Sequence, residues 1–269
     1  WRYRPEFGNQ YWPYWSWGKS SIKRVWVDDM DGDGDGEVIV VPGNMRLHLI
    51  DADGIERWVY RTDHGTFLRF EVCDIDDDGE KEIIGGCDVL SSVGICRVIG
   101  TDGQQKHQFY NAGWGTRTKE VLVTDIDDDG QPEVICAVDR EENLRVHSFA
   151  AKSLRWGRHL GEMPVGLALL PGPAGKVLFV ATEGRTALGL DPNGSALWTL
   201  NVAPGAERVI RMRDAAAVVC ANGRILRVTG DGKAEMIGAM PAKVTAGTFA
   251  AGQLAVACKD GTLSVFETS

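Results

Sequence analysis

Three stretches decide how this chain folds: DDMDGDGDGEVIV (residues 28–40), CDIDDDGEKEIIG (73–85) and TDIDDDGQPEVIC (124–136). Aligned on their first ligand-type residue they begin at Asp29, Asp74 and Asp125, and each has Asp at positions 1, 3 and 5, Gly at 6 and Glu at 9. So many carboxylates in nine residues repel one another unless a cation neutralises them. Hard oxygen donors in a tight turn suit Ca²⁺ better than Zn²⁺ or copper. Asp29, Asp31 and Asp33, Asp74, Asp76 and Asp78, and Asp125, Asp127 and Asp129 are therefore expected to converge on one calcium ion per loop. Position 7 (Asp35, Glu80, Gln131) varies, as it can when only the backbone carbonyl coordinates, and Gly34, Gly79 and Gly130 permit the sharp turn.

The loop opens like an EF-hand, which places Glu at position 12 and continues into a helix. Here position 12 is Val40, Gly85 or Cys136, and β-branched runs follow Glu37, Glu82 and Glu133. The loop therefore joins two strands, with the position-9 glutamate closing the site. In this the three copies resemble the FG-GAP or VCBS repeat of integrin α-chain propellers, certain fungal lectins and bacterial polysaccharide-degrading proteins. The resemblance covers about half of the chain and implies a calcium-binding β-propeller.

A second signature runs further, a strand, a polar turn with Gly and a short strand starting near Trp58, His107, Trp156, Trp198 or Met236. A recurrence of about 40 to 50 residues with four short strands is the mark of propeller blades. The expected fold is all-β: one six-bladed propeller of four-stranded antiparallel blades over about 22–61, 67–110, 118–159, 165–202, 207–239 and 243–269. The last blade supplies only three strands, and Trp-Arg-Tyr-Arg at residues 1–4 matches Trp58-Val-Tyr-Arg61, so the N-terminal strand is expected to complete it and remove an exposed edge. A fragment of a larger propeller is the alternative. The turn-and-Trp signature also resembles the repeat of quinoprotein propellers, but no adjacent cysteine pair exists for quinone chemistry.

Net charge is −9 at neutral pH, without the basic cluster that nucleic acid binding needs. No run of 18 apolar residues occurs, so no membrane span is expected. Calcium loops of modest affinity are expected outside the cell, extracellular, cell-surface or periplasmic, and a start at Trp1 suggests a processed or excised chain. Cys73, Cys136, Cys220 and Cys258 read as buried thiols; Cys87 and Cys96 bracket a loop and either bridge or stay free.

With the acidic loops joining strands a and b, the d-to-a and b-to-c loops share the opposite face. There the link EFGNQYWPYWSWGKSS (6–21) concentrates Tyr11, Trp12, Tyr14, Trp15 and Trp17, with Trp114, His64 and Arg117 from later links. Flat rings with polar edges hold sugars or protein hot spots; they also plug channels, and both readings stay open. No His, Ser or Cys constellation forms an active site. The expectation is a binding module for a glycan, with a protein ligand or self-association second and a polysaccharide-cleaving enzyme third.

Overall fold

The computed structural model describes residues 1–5, 21–43, 45–62, 66–87, 94–111, 113, 116–140 and 142–267. Among them no helix occurs. The described residues form 23 strands in six sheets, each ordered from the innermost strand outward as the sequence runs. Blade one is β1 to β4 (Ile22–Asp28, Glu37–Pro42, Arg46–Ile50, Glu56–Arg61) and blade two β5 to β8 (Phe67–Cys73, Glu82–Cys87, Ile95–Ile99, Gln105–Tyr110). Blade three is β9 to β12 (Thr118–Thr124, Glu133–Val138, Leu144–Ser148, Ser153–Arg158) and blade four β13 to β16 (Pro164–Gly172, Gly175–Thr182, Thr186–Leu190, Ala196–Asn201). Blade five is β17 to β20 (Ala206–Arg211, Ala215–Cys220, Arg224–Thr229, Ala234–Ala239), and blade six is β21 to β23 (Val244–Ala250, Gln253–Cys258, Leu263–Glu267).

Alternation along each strand sends successive side chains to the two neighbouring blades. The second strands, apolar on both faces, are fully buried in blades two, three and five. Among the described residues five hydrophobic cores result, one at each seam from blades one and two to blades five and six. Cys87 belongs to the core between blades one and two and Cys96 to the core between blades two and three. The two thiols thus leave opposite faces of one sheet and do not bridge; all six cysteines are free.

A tryptophan relay ties neighbouring blades. The Trp58, Trp156 and Trp198 indoles each donate to a carbonyl in the third-to-fourth-strand turn of the next blade, at Thr101 (2.6 Å), Pro192 (2.8 Å) and Gly230 (2.9 Å). Each indole lies against a left-handed glycine, Gly103, Gly194 or Gly232, where a Cβ would come within 3.0 Å of the ring. Only glycine meets both the backbone and the contact requirement. The turn facing His107 has Lys152 at positive φ instead of glycine, and there the tryptophan is missing as well.

The N-terminal residues enter this relay. Trp1 donates to the Ala52 carbonyl (2.7 Å) beside Gly54, and Tyr3 bonds Glu56 as Tyr60 bonds Gln105 (2.9 Å). Both contacts recur at the same register in blade one as in blade two. The expected strand itself differs: residues 1–5 form no ladder, and the sixth sheet has three strands among the described residues. Side-chain docking on blade one, not backbone pairing with β23, holds this segment. Among the described residues no apolar core forms between blades six and one, and Val25, Val27, Leu263 and Val265 stand exposed.

Candidate metal centres and ligand face

Each acidic loop spans the eight residues between the first two strands of its blade, 29–36, 74–81 and 125–132. Position 2 anchors it from below: Met30, Ile75 and Ile126 are buried, and their amides donate to Glu37 (2.9 Å), Glu82 (3.0 Å) and Glu133 (3.1 Å). Those glutamates open the second strand and are buried almost completely. The position-6 glycine amide donates to the first aspartate, Gly34 to Asp29 (3.1 Å), Gly79 to Asp74 (2.9 Å) and Gly130 to Asp125 (3.1 Å). Asp33, Asp78 and Asp129 accept the amide two residues on, from Asp35, Glu80 and Gln131.

The curl draws the acids together. Oxygens of Asp29, Asp31 and Asp33, of Asp74, Asp76 and Asp78, and of Asp125, Asp127 and Glu133 each lie within 4.8 Å of one another. Asp31 Oδ1, Asp125 Oδ1 and Asp127 Oδ1 are buried without a hydrogen-bond partner in the protein. An all-oxygen donor set with such orphaned atoms fits calcium. The left-handed residue at position 4 (Gly32, Asp77, Asp128) is a second backbone requirement of the loop, beside the position-6 glycine.

A basic side chain from the outermost strand reaches each loop. Arg57 bonds Asp31 (2.5 Å) and lies 3.8 Å from Glu37; Lys106 contacts Asp76 (3.1 Å), Asp78 (2.8 Å) and Glu82 (2.7 Å); Arg155 contacts Asp127 (2.6 Å) and Glu133 (2.7 Å). The bond to Asp31 raises the Arg57 guanidinium above its ordinary value, and that to Asp127 raises Arg155. Burial opposes the charge on Lys106, but its bonds to Asp78, Glu82 and Asp76 prevail and hold it high. Burial pushes the Glu82 and Glu133 carboxyls up, against the hydrogen bonds that stabilise their ionised form.

Of the residues expected on the opposite face, Tyr11, Trp12, Tyr14, Trp15, Trp17, His64 and Trp114 lie outside the described residues. Arg117 is half-buried; its amide donates to Asp139 (2.6 Å) and its Nε stands 3.5 Å from the same carboxylate. Asp139 lines a cleft of about 600 Å³ between blades three and four, with Arg140, Asn143, His159, Glu162 and Glu183 among its walls. Asn143 is buried and ties the floor, donating to the Glu162 carbonyl (2.7 Å) and accepting from the Leu160 amide (2.9 Å). The Thr182 hydroxyl holds the Glu162 carboxyl below its ordinary range. Gly184 makes room for that carboxylate, since a Cβ there would collide with it.

A charged cluster lines the innermost strands. Arg211 of β17 pairs with Glu71 of β5 across the ring, donates to the Val121 (2.9 Å) and Leu167 (3.0 Å) carbonyls and lies 3.9 Å from Glu120. Arg211 therefore links strands of blades two, three, four and five. Burial pushes the Glu120 carboxyl up.

No known protein family and no curated protein matches the sequence. Solved structures of similar shape share about 9–15% of their residues with it in the following cases. BBS1N, in a crystal with ARL6DN soaked with lead, matches over 91% of this chain and 78% of its own, with a TM-score of 0.71 and 14% identity. BamB from Moraxella catarrhalis matches 91% and 71%, at 0.61 and 15%. A chain of the mitotic checkpoint complex matches 93% and 75%, at 0.68 and 9%. At such identities the likeness establishes the fold, a six-bladed β-propeller, and nothing further.

Proposed function

We propose that this chain is a calcium-stabilised propeller of the FG-GAP or VCBS kind that works outside the cell as a binding module for a protein partner. The observation that carries the metal assignment is the threefold recurrence of converging oxygens within 4.8 Å. Asp29, Asp31, Asp33 and Glu37, with their counterparts in blades two and three, would hold the ions. When bound, calcium neutralises carboxylates and rigidifies the turn; it supplies no reaction chemistry here.

The ligand face is the one away from those loops. The cleft between blades three and four has a floor ordered by Asn143 and a rim carrying both charge signs, a surface suited to a protein partner. Propellers of similar shape occur in complexes with ARL6 and in the mitotic checkpoint complex. A glycan is the second reading, favoured by the six-aromatic stretch from Phe7 to Trp17 in the sequence.

Calorimetric titration with calcium tests the metal half, and no heat of binding sinks it. Immobilised protein screened against arrays of extracellular proteins and of glycans tests the ligand half. Protein retention that is lost in Arg140→Glu and Glu183→Lys supports the first reading. Glycan retention that is lost when Trp12, Trp15 and Trp17 become Ala replaces it with the second.

A further inference from the structure

Three basic residues that reach the acidic loops from the outermost strands stand at one structural position; the third loop also holds Lys176 of blade four, 2.7 Å from Asp128. Arg57, Lys106 and Arg155 each immediately precede the residue at the tryptophan station, and they are spaced evenly in the sequence. Each is the extra residue of a β-bulge: Leu49 pairs with Trp58 and Ile50 with Glu56, Val98 with His107 and Ile99 with Gln105, Val146 with Trp156 and His147 with Leu154. A bulge re-aims a side chain that regular pairing would send elsewhere. Here it turns a cation over the loop of its own blade.

Blades without acidic loops provide the control within the same chain. Blade four keeps the bulge, between Trp198 and Ala196, but fills it with Leu197, which is 50% exposed. In blade five the residue before Met236 is Glu235, which pairs regularly with Arg227. A cation therefore occurs at this position wherever the carboxylates occur and is missing from the two four-stranded blades that lack them. Chance placement on a surface strand does not explain a threefold match with two matched absences.

The cations take oxygens that a metal needs. Lys106 lies 2.7 to 3.1 Å from Asp76, Asp78 and Glu82, and Arg155 bridges Asp127 and Glu133, two members of one candidate ligand group. A doubly charged ion on the same oxygens would repel a fixed cation at near-contact distance. We propose that Arg57, Lys106 and Arg155 are built-in competitors of calcium: each neutralises its loop when the metal is away and must swing out, over the bulge, when calcium enters. The inference rests on the calcium reading above. Its consequence is a propeller that stays folded without calcium and binds it more weakly than its carboxylate count alone would give.

The test is calorimetric calcium titration of the whole chain, as wild type and as Lys106→Met and Arg155→Met, with melting temperature measured in chelator and in calcium. Folding is checked by the circular dichroism of each variant, the charge-removing Lys106→Gln and Arg155→Gln serve where a methionine variant fails to fold, and the charge-conserving Lys106→Arg and Arg155→Lys are the controls. The expected result is an affinity at the altered loop raised roughly tenfold, since calcium no longer has to displace a cation from the oxygens it binds. The same variants should melt lower in chelator, and the charge-conserving pair should match wild type in both readouts. Wild-type calcium binding that methionine leaves unchanged overturns the inference while the calcium reading survives. No calcium uptake by wild type or by any variant overturns both.

Discussion

Replacing Trp198 with alanine tests the relay that ties the blades. Its indole lies between Gly189 of its own sheet and Gly232 of the next, packs 6.0 Å from the Phe179 ring and bonds the Gly230 carbonyl at 2.9 Å. An aromatic of this size buries up to about 150–250 Å². Half-burial at about 25 cal/mol per Å² is worth roughly 2–3 kcal/mol, and the hydrogen bond adds about 1 kcal/mol. The expected loss is about 3–4 kcal/mol, or roughly 6–16 °C in melting temperature for a domain of this size. Differential scanning calorimetry measures it. Trp198→Phe, which keeps a ring and loses the donor, should cost less than half as much. Gly232→Ala places a methyl 2.8 Å from the indole at a left-handed backbone position and should cost about 1–3 kcal/mol. Leu197→Ala, on the exposed side, should stay within about 0.5 kcal/mol. A Trp198→Ala loss below about 1 kcal/mol, or a neutral Gly232→Ala, refutes the relay as a source of stability.

Burial lowers His147 to about 4 from an ordinary value of 6.5, so the unfolded chain binds its proton first as pH falls. Its contribution, about 3 kcal/mol at most, is present above pH 6.5 and lost toward pH 4, and His147→Gln should flatten the fall of melting temperature across that window. Chelator should lower the melting temperature of wild type, and Asp74→Ala should remove part of the calcium-dependent rise; a variant whose calcium response equals wild type excludes Asp74 as a ligand. Five thiols are buried, and burial pushes the partly buried Cys73 up to about 12. A colorimetric thiol reagent should therefore label the native chain slowly and all six cysteines in denaturant; a fast native thiol contradicts the burial described here.

Local chemistry repeated at a near-regular interval is legible in the sequence alone. Asp at 1, 3 and 5 with Glu at 9 announces the loop, and tryptophan after a glycine turn announces the blade, because each lies within one short stretch. The position-4 backbone is half legible, since Gly32 signals a left-handed turn that Asp77 and Asp128 conceal. The cations at Arg57, Lys106 and Arg155 are equally regular in sequence but gain meaning only once the bulge aims them. Cys87 and Cys96 mislead because spacing does not show which face of a sheet a side chain leaves. The pairing of Arg211 with Glu71 spans 140 residues, and no pattern in the sequence anticipates it.

That last contact changes how the wheel can deform. A ring of sheets joined only to neighbours can flex like a hinged fan, each blade tilting a little. A guanidinium reaching across the hub from blade five to blade two acts as a spoke, so that tilting one side is expected to be felt on the other. Blades two to five are thereby expected to move together, and the softest direction expected is a spreading at the seam between blades six and one, where no apolar core forms among the described residues.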